Sequence, residues 1–108
     1  KIIGVRNIVG TTNSELALQE FLAGDEYIAD TVSFNGKHLV VALWAYTKRK
    51  GVPWSPQSIV VYQAELLPPR GEVQDKLAAY VSQVLDAVGL RYGPSHNEIM
   101  MTKRGPIL

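Results

Sequence analysis

Residues 26–46 read EYIADTVSFNGKHLVVALWAY, and they predict a β-hairpin around which the rest of the fold is built. β-Branched and aromatic side chains recur on both sides of the pair Asn35-Gly36, as they do in strands. Both central residues of a type I′ turn need positive φ, so Asn-Gly at this place predicts a tight hairpin. The residues after the turn, from about 37 to 46, are apolar on both faces, which predicts a strand buried on both sides.

Further strands are predicted before and after this hairpin. Residues 16–22 place leucines at alternate positions and predict a strand that ends in a turn over residues 23–25. Residues 58–67 predict another strand, and residues 95–102 predict a last long strand followed by a turn and a partner strand. Residues 48–57 contain two prolines, one glycine and three basic residues, and therefore predict a loop.

One helix is predicted, over about residues 71–88. Its apolar side chains recur at spacings of three and four and form one stripe. Glu72 and Asp75 lie in the first turn, where the helix dipole favours negative charge. Gly89 can take the left-handed conformation that ends a helix. We therefore expect an α+β fold, a mostly antiparallel sheet with a helix packed on one face.

The composition is that of one folded globular domain, which we expect to occupy residues 1–108. The chain has 108 residues, of which 46% are apolar, and a net charge of +1. This charge argues against a basic nucleic-acid surface, and no apolar run approaches the roughly 18 residues needed to span a bilayer. Cysteine is absent, which excludes disulfides and thiolate chemistry and fits a cytoplasmic protein.

The two ends of the chain bear on whether it is a fragment or a complete domain. The chain begins at Lys1 rather than at a methionine and stops at GPIL, a turn followed by apolar residues. Natural termini are usually polar and frayed. We therefore expect the chain to be a fragment of a larger protein; a complete small domain released from a tag is the alternative.

His96 and Glu98 are the first candidates for a functional site. Residues two apart on a strand point to the same face, so these two side chains share one side of the last long strand. A carboxylate that faces a cleft can hold Mg²⁺, a hard cation that prefers oxygen ligands. By spacing alone, a solvated strand face explains the pair better, and no cysteine or second histidine stands at a zinc-like spacing.

Residues 19–26, QEFLAGDE, are the second candidate. A strand, a glycine turn and an acidic residue at the start of the next strand can form a shelf for a nucleotide. Backbone groups of the first strand would read the adenine edge, and Glu26 would accept hydrogen bonds from ribose hydroxyls. An ordinary hairpin with a surface carboxylate explains these residues better on local grounds, and the chain has no Walker-type glycine-lysine loop.

A run of basic residues, Lys48 to Lys50, follows Trp44 and Tyr46. Such a run could bind phosphate or nucleic acid, but a solvated loop is the better interpretation. The two aromatic residues are interpreted as packing residues, and His38, next to the hairpin, as an exposed side chain.

Taken together, these stretches resemble the ATP-grasp superfamily, and within it the amino-acid ligases and their relatives that join a carboxylate to an amine. Residues 18–27, LQEFLAGDEY, resemble the hinge between the two lobes that grip ATP. The strand pair over residues 30–48 and the strand and helix over residues 65–90 follow in the family's order. Residues 92–101, YGPSHNEIMM, then precede RGPIL at residues 104–108. The resemblance covers most of the chain, from about residue 16 onward.

The resemblance implies ATP and Mg²⁺ as cofactors and assigns roles to particular residues. Backbone around residues 19–22 would contact adenine, Glu26 would contact ribose, and Glu98 would be the first of two carboxylates that hold Mg²⁺. His96 would face the same cleft. The cofactor-binding residues are then Gln19, Glu20, Phe21, Leu22, Glu26 and His96, with Glu98 as the metal ligand.

The family's reaction converts a carboxylate to an acyl phosphate, which an amine then attacks. The resemblance therefore implies small-molecule carboxylate and amine substrates for the parent protein, with neither nucleic acid nor membrane as a partner. A homodimer is compatible with the sequence. The chain departs from the family pattern by stopping before the second metal carboxylate and by lacking the lobes that supply phosphate-contacting lysines. We expect the isolated chain to have no ligase activity and, at best, weak nucleotide affinity.

Two other classes of function stay open at this point. A non-catalytic module for dimerisation or partner binding predicts that Glu26 and Glu98 face different sides and line no common cleft. An RNA-binding sheet predicts a steep salt dependence of binding, but the near-neutral charge argues against it.

Overall fold

The computed structural model describes residues 2–53 and 55–108. Its elements in chain order are β1 (Asp25–Phe34), β2 (Lys37–Val52), β3 (Ser55–Leu66), α1 (Glu72–Ala87), β4 (Gly93–Thr102) and β5 (Gly105–Ile107). The five strands form one sheet in the order β3-β2-β1-β4-β5. Each neighbouring pair is antiparallel, and the helix packs on one face. The expected α+β fold is confirmed.

The hairpin between β1 and β2 is the one predicted from Asn35-Gly36. Both residues have positive φ, 50° at Asn35 and 75° at Gly36. The register shifts once along this pair, because Asp30 pairs with Ala42 whereas Thr31 pairs with Val40. This β-bulge leaves one extra residue in β2 and re-aims the side chains on either side of it.

The helix begins and ends close to its predicted bounds. Its buried side chains, Leu77, Val81 and Leu85, contact the sheet and form the core of the domain. Gly89 has a φ of 73°, and the amide of Leu90 donates to the carbonyl of Leu85 at 3.0 Å. The amide of Gly89 also donates to the carbonyl of Asp86 at 3.1 Å, which completes a Schellman motif. The glycine stop predicted from sequence is therefore confirmed.

The core lies between the helix and the centre of the sheet. The sheet contributes residues from β1, β2 and β4 to this core: Ala29, Leu43 and Ile99. The other face of the sheet is largely open in this chain, with Leu39 and Val41 of β2 exposed to 66% and 55%. The prediction that this strand is buried on both sides is therefore wrong for the chain as it stands, because one helix can cover one face only.

Two further predictions about elements are wrong. Residues 16–22 lie outside the five described strands, with Leu18 and Phe21 exposed. The predicted loop over residues 48–57 is instead mostly strand, since β2 continues to Val52 and β3 begins at Ser55; Trp54 lies outside the described residues. Pairing with a partner strand, Lys48 with Val61 and Lys50 with Ile59, outweighs the turn-rich composition.

No helix in the described part of the chain is both long and apolar enough to cross a bilayer.

Candidate functional site

The face of the sheet opposite the helix carries the polar residues of the candidate site. Along β4, His96 and Glu98 are exposed, whereas Asn97 and Ile99 are buried toward the helix. The expected sharing of one face by His96 and Glu98 is therefore present. In the register, Glu98 lies opposite Ile28.

The same face contains a cavity of about 860 Å³, a volume typical of small-molecule sites. Six of the seven residues expected to bind the nucleotide or the metal line it: Gln19, Glu20, Phe21, Leu22, Glu26 and Glu98. We call this cavity the cleft. His96 does not line the cleft. It precedes Glu98 by two residues on β4. Glu26 and Glu98 thus line one cleft, which is the opposite of what the interaction-module alternative predicts.

Glu26 lies at the base of the cleft with a lysine beside it. Its side chain is only 9% exposed and forms an ion pair with Lys48, which comes from the neighbouring strand β2. A buried carboxylate needs such a partner, because an unpaired buried charge is strongly destabilising. Residues 48–50 are exposed, as expected, but they belong to strand β2 rather than to a loop, and Lys48 lines the cleft.

Two contacts hold the segment over residues 19–24 against the sheet. The guanidinium of Arg104 donates to both carboxylate oxygens of Glu20, at 2.9 and 2.8 Å. At the other end of the segment, a Cβ added to Gly24 would lie 2.1 Å from the carbonyl oxygen of Met101. The glycine therefore permits a close approach of two backbones, and the segment forms one wall of the cleft.

A hydrogen-bonded group next to the cleft was not found from sequence. Asp30 of β1 accepts a hydrogen bond from Nε1 of Trp44 at 2.9 Å through Oδ2. Its other oxygen, Oδ1, lies 2.7 Å from Nδ1 of His96. Strand alternation places Asp30 on the face of Glu26, but its partners depend on the register of three strands, which the sequence does not show.

The other histidine lies on the helix side of the sheet. Nδ1 of His38 is 2.7 Å from Oγ of Ser33, and Nε2 is 3.3 Å from Oδ1 of Asp86 on the helix. The side chain of His38 is 4% exposed. The interpretation of His38 as an exposed residue is therefore wrong, because the helix covers it and supplies its partner.

The described side chains do not enclose a magnesium ion, but one carboxylate of the cleft is suited to be a ligand. Among the described residues, no three His, Cys, Asp or Glu side chains form a cluster that could enclose a metal. Glu98, however, offers an exposed carboxylate at the wall of the cleft. Mg²⁺ bound together with nucleotide phosphates needs only one or two protein carboxylates, so Glu98 fits one such position.

The sheet and its helix form an α+β unit with a cleft, and the chain is similar in sequence to a synthase and in fold to an L-amino acid ligase. No family model matches the chain. Its sequence is 34% identical over 110 residues to dapdiamide A synthase of Enterobacter agglomerans, in an alignment covering 99% of this chain and 24% of that protein. The chain thus spans about a quarter of the length of this relative.

A solved structure shows the same fold. The chain superposes on the crystal structure of an L-amino acid ligase from Bacillus licheniformis with a TM-score of 0.60 and 22% sequence identity. The superposition covers 80% of this chain and 21% of that one.

Proposed function

We propose that this chain is part of a cytoplasmic, ATP-dependent ligase that joins a carboxylate to an amine, and that the cleft binds ATP with Mg²⁺. One observation carries the proposal. Glu98 lines the same cavity as the segment over residues 19–22 and Glu26, although it lies far from them in the sequence, and the cavity has a suitable size. The names of the two similar proteins, a synthase and an L-amino acid ligase, support the same class of reaction.

The register of the sheet supports an order for the bound groups. Backbone of residues 19–22 contacts adenine, and Glu26 contacts ribose. In the register, Glu26 lies opposite Met100, and Glu98 is two residues before Met100 on β4. The ribose carboxylate and the metal carboxylate are thus offset by about 7 Å along the strand. The phosphates accordingly extend from Glu26 toward Glu98.

The reaction requires that the nucleotide be oriented and that the charge on the transferring phosphoryl group be stabilised. A substrate carboxylate attacks the terminal phosphorus of ATP, ADP leaves, and an amine then displaces phosphate from the acyl phosphate. Mg²⁺ supplies positive charge to the transferring phosphoryl group. The residues of this chain bind and orient the nucleotide, and Lys48 forms an ion pair with Glu26 at the base of the cleft.

Other parts of the full-length protein complete the site in this proposal. They supply the phosphate-contacting lysines, the covering loop and the second metal carboxylate. The isolated chain therefore forms no amide and binds ATP weakly. Amide formation by the isolated chain would contradict this part of the proposal.

The direct test is turnover by the full-length protein. Pairs of L-amino acids are incubated with ATP and Mg²⁺, and ADP release and amide formation are measured together. We expect equal amounts of both products, and a large loss of turnover in Glu98→Gln. The matched control is Glu72→Gln, an exposed helix residue remote from the cleft, which should leave turnover unchanged. A wild-type protein that forms no ATP-dependent amide with any pair would overturn the proposal.

A further inference from the structure

Lys48 reaches the cleft from the part of β2 that extends past the start of β1. In the register of these two strands Glu26 lies opposite Tyr46, and Lys48 follows Tyr46 by two residues, so Lys48 shares the face of Glu26. The pairing of β2 with β3 shifts between Thr47 and Lys48, an irregularity that re-aims neighbouring side chains. Lys48 lines the cleft and is ion-paired with Glu26. Its ammonium therefore lies beside the carboxylate to which the proposed function assigns ribose.

Arg49, the next residue of β2, is held away from the cleft. Its guanidinium carbon lies 3.6 Å from the ring centre of Tyr62, a cation–π contact between β2 and β3. Successive side chains of a strand point to opposite faces, and Arg49 is not among the residues that line the cleft. Of these two adjacent basic residues, Lys48 is thus the one placed to act on a ligand in the cleft.

The ion pair limits the orientations open to Glu26. Nζ of Lys48 contacts Oε2 of the carboxylate, and the side chain of Glu26 is only 9% exposed. A carboxylate has about four lone-pair sites over its two oxygens, so Glu26 can still accept hydrogen bonds from a ligand. The 2′- and 3′-hydroxyls of a ribose are two neighbouring donors, and a carboxylate held in one orientation can accept from both. A 2′-deoxyribose has lost one of these donors.

The charge of Lys48 matters because the proposed ligand is an anion. The phosphates of a nucleotide begin one sugar away from the hydroxyls that Glu26 contacts, and an unpaired carboxylate repels them. An ammonium paired with the carboxylate offsets this repulsion. Lys48 therefore makes an acidic sugar contact compatible with a strongly negative ligand.

We propose that Lys48 is a positioning residue that holds Glu26 toward both ribose hydroxyls, so that the cleft selects ribonucleotides over 2′-deoxyribonucleotides. The inference rests on the proposed function, in which Glu26 contacts ribose. Two other roles for Lys48 give different results. A lysine that contacts the phosphates directly acts without Glu26, and a lysine that only stabilises the fold does not distinguish between sugars.

The binding test compares two nucleotides. Dissociation constants of ATP and 2′-deoxyATP are measured by calorimetry with the full-length protein and Mg²⁺. We expect the wild type to bind 2′-deoxyATP about tenfold more weakly than ATP, as for one lost hydrogen bond to a charged group. Lys48→Met should lower this preference to about twofold or less, and Lys48→Arg, which can still pair with the carboxylate, should retain it. The matched control is Arg49→Met, which removes the same charge outside the cleft and should change neither constant.

A double-mutant cycle separates action through Glu26 from a direct contact with phosphate. If Lys48 acts through Glu26, its removal matters little once the carboxylate is gone. We therefore expect Lys48→Met combined with Glu26→Gln to bind ATP within about twofold of Glu26→Gln alone, whereas Lys48→Met alone binds ATP about tenfold more weakly than the wild type. Chemical denaturation shows whether each variant is folded. Lys48→Gln, which is polar but uncharged, replaces Lys48→Met if that variant does not fold, with the same expectation.

The possible outcomes are distinct. An unchanged preference for ATP in the folded variant that lacks Lys48 would overturn the inference, and so would independent, additive losses of ATP affinity in the double variant. ATP binding by the wild type without a preference over 2′-deoxyATP would also overturn it. If the wild type binds neither nucleotide, the proposed function itself fails.

Discussion

Gly24 is the residue on which the wall of the cleft depends. A Cβ at this position would lie 2.1 Å from the backbone oxygen of Met101, and backbone cannot rotate away as a side chain can. We expect Gly24→Ala to destabilise the fold by about 1–3 kcal/mol, the usual cost of forced overpacking, and to weaken ATP binding as well. Chemical denaturation of the two proteins measures the first effect. Ala23→Ser, at the exposed neighbouring position, is the control and should change stability little.

Glu72, in the first turn of the helix, has a lowered pKa. Its carboxylate accepts a hydrogen bond from Nζ of Lys76 at 2.7 Å, and this bond, together with the lysine charge, holds the pKa of Glu72 below its ordinary value. The contribution to stability is therefore present above the ordinary pKa of the carboxyl group and is lost as pH falls through the lowered one. We expect an NMR titration to show the low pKa in the wild type and a return toward the ordinary value in Lys76→Met. A Glu72 pKa that does not change in this variant contradicts the assignment; Lys103→Met, outside the helix, is the control.

At the scale of elements, the segment over residues 19–24 is held at one end by an ion pair. Arg104, in the turn between β4 and β5, forms two hydrogen bonds with Glu20. Because both side chains are well exposed, we expect the pair to contribute only about 0.2–1 kcal/mol to stability. A double-mutant cycle with Glu20→Gln and Arg104→Gln measures this coupling energy. The same cycle followed by ATP affinity should show a loss of affinity in each single variant, because the cleft wall is then less ordered. Full affinity in both variants contradicts that role.

Most elements could be predicted from sequence because their signals are local. Asn35-Gly36 needs no partner to favour a turn, and Gly89 stops the helix by its own conformational freedom. The predictions of a strand over residues 16–22 and of a loop over residues 48–57 are wrong because the state of these residues depends on pairing. The first stretch has an alternating pattern without a partner strand in the described chain, and the second has a partner in β3 despite its composition.

The residues of the candidate site also divide into those that the sequence predicts and those that it does not. Glu26 and Glu98 could be selected from strand alternation and from the resemblance to known ligases. Asp30, Trp44 and Lys48 could not, because each acquires its partner through the register of adjacent strands. The β-bulge after Asp30 is one example of a feature that a residue pattern does not reveal.

At the scale of the whole molecule, the two faces of the sheet differ in role: one packs against the helix and the other contains the candidate binding site. The face covered by the helix contains the core, and the open face contains the cleft, the Asp30–His96 pair and the fully buried Ile28 of β1. Changes on the open face can therefore alter binding without removing core contacts. This separation makes mutagenesis of the cleft informative, since a loss of function need not reflect a loss of fold.

In the proposed function the cleft binds ATP with Mg²⁺ through Glu98, and calorimetry on the full-length protein measures this binding. ATP is titrated into the wild type and Glu98→Ala, with and without Mg²⁺, and Glu72→Ala is the control on the helix. We expect Mg²⁺-dependent binding in the wild type and the control, weakened by about 1–3 kcal/mol in Glu98→Ala, as for a hydrogen-bonded charged contact. A wild type that binds no ATP, or a Glu98→Ala variant that binds it as tightly as the wild type, would contradict the account.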